Sequence, residues 1–243
     1  MTDLTLYLAF YGFVACACLG LAWPLARKRR VSPMICLLCF VGAVSLVSMA
    51  PSFLGVWFGN WNWLGKILSV ACSLLALRVF RLSAKEAGLT MPRTGRAWLI
   101  SLAGIVAALA FEVARSVITG DVHLATDTET FAFQATMPGI DEELCFRGVD
   151  LALLMRAFPV PRSGLPVWFL PMAITTIMFI AGHMVAFHGG VPLVMWKDPL
   201  LDALPIGALL GLLRIATGSL VGPVLAHNAA NLGNHLTSLW YRQ

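Results

Sequence analysis

Apolar stretches long enough to cross a bilayer recur along this chain, and they constrain its fold more than any motif does. A spanning helix needs about 20 predominantly apolar residues, and Leu4 to Leu25 meets that requirement at the outset. Charged residues make up 12% of the chain and hydrophobic ones 59%, whereas a soluble domain carries roughly 25% charged residues. The expected class is therefore an all-α, polytopic membrane helical bundle. Residues 1–243 read as one integral membrane domain.

Seven further segments follow: Pro33 to Ala50, Leu64 to Phe80, Ala97 to Val117, Pro138 to Phe158, Leu165 to Ala186, Pro199 to Ile215 and Ser219 to Leu239. The fifth is the weakest by hydropathy, but Pro138 suits a first helical turn. Lys66, near the end of the third, is expected to snorkel to the interface. The formal charge of +5 does not point to nucleic acid, because the basic residues sit in short clusters between spans. Arg27–Arg30, the stretch from Arg78 to Arg96, Arg156 with Arg162, and Arg214 follow the positive-inside pattern of cytoplasmic loops. The loop Pro51 to Trp63 is uncharged and rich in aromatics (Phe53, Trp57, Phe58, Trp61, Trp63), as an interfacial belt requires. The loop Thr119 to Thr130 is acidic, with Asp121, Asp127 and Glu129. Together these predict about eight crossings with both termini outside. The N-terminus has no basic region or small-residue cleavage site, so the first helix reads as retained. The six cysteines, Cys36-x-x-Cys39 included, fall in apolar segments and read as small apolar fillers.

Ionised groups within lipid cost about 2.5–3.5 kcal/mol each even on insertion scales, yet Asp141, Glu142, Glu143 and Arg147 lie together at the start of the fifth segment. At 100° per residue, Glu143 and Arg147 stack at i, i+4 as a structural ion pair in the favoured order. Glu142 points elsewhere and is left without this partner. His183 lies late in the sixth segment, and His227 and Asn231 lie one turn apart in the eighth. Glu112 and Arg115, at i, i+3, read as a second structural pair. Asn228 and His235 read as interhelical hydrogen-bonding groups, and His123 and His188 as loop residues, the latter opening a loop to Asp198. Intramembrane ionisable groups are functional by default, and Glu142, His183, His227 and Asn231 fall at similar depth, as a shared polar catalytic cavity opening outward would require.

Such a set can perform hydrolysis. Glu142 can take a proton from water held between it and His183, and His227 with Asn231 can donate hydrogen bonds to the oxyanion formed on an attacked carbonyl. No Ser or Cys accompanies a base in a nucleophile motif, so water is the expected nucleophile. One Glu with two His could also hold zinc or another divalent metal, but no His-Glu-x-x-His spacing occurs, so no metal or cofactor is assigned.

At these residues the chain resembles a known family. Glu142-Glu143-x-x-x-Arg147, Phe179-x-x-x-His183 and His227-x-x-x-Asn231 look like the three signature motifs of the CAAX-protease and bacteriocin-processing (CPBP) family of intramembrane proteases, which includes CAAX prenyl protease 2-like enzymes. The resemblance spans about residues 135–235, the expected catalytic core. It implies an eight-helix fold and a glutamic-type endopeptidase, favoured over a metalloprotease. Glu142 would be the base, His183 would position water, and His227 with Asn231 would form the oxyanion site, with Glu143 and Arg147 in support. The implied partners are membrane lipid and a protein or peptide substrate, membrane-anchored or lipidated, with a C-terminal processing site. The setting implied is a bacterial or archaeal cell membrane. An outward-facing cavity favours trimming the C-terminal tail of exported proteins, as in the family's sortase-like subgroup. The competing expectation is a non-catalytic immunity or scaffold protein of the same fold. A proton-relaying transporter is disfavoured, because no internal repeat is visible.

Overall fold

Helices form on all eight predicted segments. The computed structural model describes residues 3–55, 59–120, 127–161, 164–188, 191–194 and 199–240. Trp57, Phe58, Asp121, His123, Arg162 and Asp198, named above, lie outside the described residues. Helix α1 covers Asp3–Ala22, α2 Val31–Phe53, α3 Trp63–Val79 and α4 Gly95–Thr119. The short α5, Thr128–Gln134, precedes α6, Met137–Glu143, which runs through a π-helical segment, Leu144–Asp150, into α7, Leu151–Ala157. Then come α8, Phe169–Met184, α9, Leu204–Thr217, and α10, Val221–Trp240. Asn62, Thr94 and Asp127 cap α3, α4 and α5 by accepting from the backbone N–H three residues on, the expected role of these side chains. Gly120 and Gly218 close α4 and α9 in the left-handed conformation, at φ 68° and 67°, which only glycine adopts freely.

Four stretches are long and apolar enough to cross a bilayer: Asp3–Leu25, Val31–Ser52, Gly95–Thr119 and Leu200–Thr217. With large side chains such as Phe13, Leu21, Leu99 and Ile118 turned outward, they make this an integral membrane protein. Two expectations are corrected here. The sixth segment stops at Met184, not Ala186, and strand β1, Val185–His188, follows it, paired antiparallel with β2, Val191–Val194, which lies in the predicted loop. The valines suit pleated backbone. Not every cysteine is buried filler, since Cys16 and Cys39 are exposed on the bundle surface.

The helices build two apolar cores. One joins α1, α2, α3, α7 and α8 around Phe40, Leu37, Leu153, Leu154 and Met178. The other joins α4, α9 and α10 around Ala108, Leu210, Leu213 and Ala226. Between them runs a polar layer carried by α6, the π segment, the end of α8 and the middle of α10. One end of the bundle gathers the basic clusters. Arg30 N–H donates to Ala157 O, Arg156 binds Glu86 and the carbonyls of Phe80 and Arg81, and Arg214 binds the carbonyls of Glu86 and Arg147. At the opposite end Asn60 N–H and Trp63 Nε1 donate to Glu129, and Trp61 Nε1 donates to Thr130 Oγ1. The tryptophans expected to form an interfacial belt thus also fasten α3 to α5.

Candidate active site

Two adjacent carboxylates organise the polar layer in opposite ways. Glu143 is fully buried. Its Oε1 accepts from Arg147 at 3.0 Å and from His227 Nδ1 at 2.9 Å, while Arg147 also donates to Gly207 O at 2.9 Å. The pair read from sequence as purely structural therefore also holds a candidate catalytic histidine. One residue earlier, Glu142 faces a cavity of ≈ 230 Å³. The expectation that it lacks a partner is corrected. Lys66 Nζ lies 2.8 Å from Glu142 Oε1 and 2.9 Å from Asp141 Oδ2. Nor does Lys66 snorkel outward, because α3 packs against α6 and places the ammonium beside two carboxylates that need a cation. Glu142 Oε2 has no partner within the protein.

Close packing of α6 on α10 sets this geometry. Gly139 N–H donates to Asn228 Oδ1 at 2.8 Å, and a Cβ at Gly139 would run into that side chain and into Val224 O. Asn228 also donates to Thr136 O, so it forms the interhelical link its sequence context suggested.

His183 lines the first cavity together with Glu142, Tyr11 and Cys145. It also lines a second, smaller cavity of ≈ 90 Å³ together with His227, Asn231, Asn234, Glu112 and Arg115. Phe179 stands between the two. Its ring lies 4.6 Å from that of His183 and 5.7 Å, edge-on, from that of His227, with the Arg147 guanidinium 4.5 Å from its centre. The four candidates are thus brought to neighbouring cavities, Glu142 on one side and His227 with Asn231 on the other, with His183 common to both. His183 Nδ1 is 2.9 Å from Phe179 O. A carbonyl only accepts, so Nδ1 carries a proton, and in the neutral form of the ring the lone pair lies on Nε2. In the second cavity Arg115 grips Glu112 through Nε and NH2, as the i, i+3 spacing predicted, and Asn234 Nδ2 adds a bond to Glu112.

Sequence reasoning missed Lys66, Tyr7, Tyr11 and Asp150 on the first cavity, and Asp202 and Asn234 on the second. Lys66, Asp150 and Asp202 carried a signal, as charges inside predicted spans. Among the described residues no group of three or more His, Cys, Asp or Glu side chains is placed to hold a metal ion.

With this geometry in view, comparison with known proteins places residues 124–233 in register with a family model described as Type II CAAX prenyl endopeptidase Rce1-like. The matched region includes Glu142, Glu143, Arg147, His183, His227 and Asn231 and excludes Lys66. No curated protein and no solved structure gives a match.

Proposed function

We propose, from the match of residues 124–233 to the model of the Rce1-like type II CAAX prenyl endopeptidases, that this chain is a membrane-embedded protease that cleaves its substrates with water activated by Glu142. The observation that carries the reading is the division of labour between the carboxylates. Glu142 lines a cavity, about one-fifth exposed, with Oε1 held by Lys66, while Glu143 is fully buried and tied through Oε1 to Arg147 and His227. A general base needs a fixed carboxylate beside space for water, and Glu142 is held at a cavity wall with Oε2 left without a protein partner. In the proposed mechanism, water lies between Glu142 Oε2 and the Nε2 lone pair of His183. As its oxygen attacks the scissile carbonyl, its proton passes to Glu142, which later gives it to the departing amine.

The oxyanion falls on the side of His227 and Asn231. His227 already gives its Nδ1 proton to Glu143, so Nε2 donates to an oxyanion only from the doubly protonated ring, with Glu143 as counter-ion. Asn231 supplies a neutral amide donor. The catalytic core is residues 135–235, within a bundle of eight crossings. By the positive-inside rule the end holding Arg30, Arg156 and Arg214 is cytoplasmic. Glu142 and His183 then lie toward the outer face, which suits C-terminal processing of an exported, membrane-anchored or lipidated protein.

The test is cleavage of a farnesylated, C-terminally labelled peptide by the full chain in lipid vesicles, compared with Glu142→Gln. Release of the label by the parent and not by the variant supports the reading, and equal release or loss by both sinks it. Activity surviving exhaustive chelation distinguishes a glutamic from a metal-dependent enzyme. Accessibility labelling of cysteines placed in 119–130 decides which face the cavity meets.

A further inference from the structure

Asp150 is the buried carboxylate that the mechanism leaves unused. Its residue is 1% exposed, and both its oxygens are buried without a hydrogen-bond partner. The other described buried acids are held: Glu143 by Arg147, Glu112 by Arg115, and Asp141 by Lys66. Nevertheless, Asp150 lines the same cavity as Glu142 and His183. Native proteins satisfy buried carboxylates, so an unpartnered one that borders a cavity points to a ligand that completes it.

The π segment brings it there. In an uninterrupted α-helix Asp150 would lie about 180° around the axis from Asp141. Within Leu144–Asp150 the turns close from i to i+5, which stacks Asp150 on Cys145, and Cys145 lies one α-turn from Asp141. Cys145, Asp141 and Asp150 all line the cavity as a result. π turns are rare and gather at functional sites.

We propose that Asp150 is a substrate-binding residue, taking a hydrogen-bond-donating side chain of the substrate, hydroxyl or cationic, in the part of the cavity nearest the basic end of the bundle. This rests on reading the cavity as a peptidase site. The cavity already holds two carboxylates against the single ammonium of Lys66. A third carboxylate therefore selects donors and rejects acids, and the walls of Val41, Val44 and Met178 accept the apolar remainder of the peptide. Asp150 lies eight residues beyond Glu142, about 12 Å along the helix at an α-helical rise. An extended peptide rises about 3.3 Å per residue, so the selected residue lies two to four positions from the scissile bond.

The experiment uses the full chain carrying Glu142→Gln in lipid nanodiscs, with fluorescent farnesylated peptides varied one position at a time among Lys, Ser, Leu and Glu. We expect one position, two to four residues from the cut, at which Lys or Ser binds at least tenfold more tightly than Leu, with Glu weakest. Added Asp150→Leu should abolish that preference. The isosteric Asp150→Asn should abolish the preference for Lys and keep that for Ser, and it carries the test if Asp150→Leu does not fold. The absence of any donor preference in that range, or its persistence in a folded Asp150 variant, overturns the proposal. Cleavage of the same peptides by the parent chain reports separately on the peptidase reading: a donor preference that depends on Asp150, without cleavage, would sink that reading and leave Asp150 as a peptide-binding residue.

Discussion

Glu142 and Glu143 are chain neighbours of the same type in the same helix, yet the protein treats them oppositely. Glu143 sits with Arg147 in a sealed compartment, both 0% exposed, and gains a second partner in His227. Glu142 shares Lys66 with Asp141 at a cavity wall where both Glu142 and the lysine are about one-fifth exposed. About 100° of helical rotation separates a residue that holds the bundle together from one that water can reach. The difference teaches that a charge in a membrane protein is assigned by its partners and its access to water, not by its place in a motif.

The largest expected effect comes from Glu142→Gln. A positioned general base contributes about 10²–10⁴-fold, so turnover of the vesicle-bound peptide should fall by that range while thermal unfolding in detergent stays unchanged. Arg147→Met should do the reverse. Leaving Glu143 buried without its guanidinium, with His227 as its remaining partner, costs up to about 3–5 kcal/mol, which calorimetry or denaturant titration will register as a large loss of stability. Adding Glu143→Gln should recover part of it, and failure to do so would break the contrast between the two carboxylates. An intermediate effect is expected from Lys66→Met. A hydrogen bond to a charged group is worth about 1.5–3 kcal/mol, so kcat should fall roughly ten- to a hundredfold with KM little changed. An unchanged kcat would show that the cation does not hold the base.

The smallest effect lies at the basic end. Hydrogen bonds from Arg156 pull the Glu86 carboxyl down to about 2, against the opposing cost of burial, with help from Ser83. Because the folded value lies below the unfolded one, of about 4.3, the pair stabilises the protein above that pH. The contribution is lost as pH falls toward 2. Both side chains are about one-third exposed, at 31% and 38%, so solvent screening limits the contribution to under about 1 kcal/mol. Unfolding between pH 5 and 2 should be slightly flatter in Arg156→Ala than in the parent.

Much of the frame was legible in sequence because lipid imposes strict rules. Segments of spanning length, basic clusters and Pro138 in a first helical turn follow from local chemistry, and the helices form where those signals lie. The i, i+4 pair Glu143–Arg147 and the i, i+3 pair Glu112–Arg115 were legible for the same reason, since helix geometry alone brings them together. Lys66 was misread because snorkelling is the default for a lysine near a helix end, and nothing in the local pattern reports that α3 turns it toward α6.

The sequence alone thus determined a membrane-embedded helical chain, the order of its motifs, and which ionisable residues share a helix face. Only the tertiary structure decided which of those residues meet across helices. Packing of α6 on α10 through Gly139 and Asn228 brings His227 to Glu143, and packing of α3 on α6 gives Glu142 its cation. The π segment turns Asp150 into the cavity. The physical reason is range: periodicity and capping act over a turn or two of one helix, whereas a site between helices depends on contacts between residues as far apart in sequence as Lys66 and Glu142.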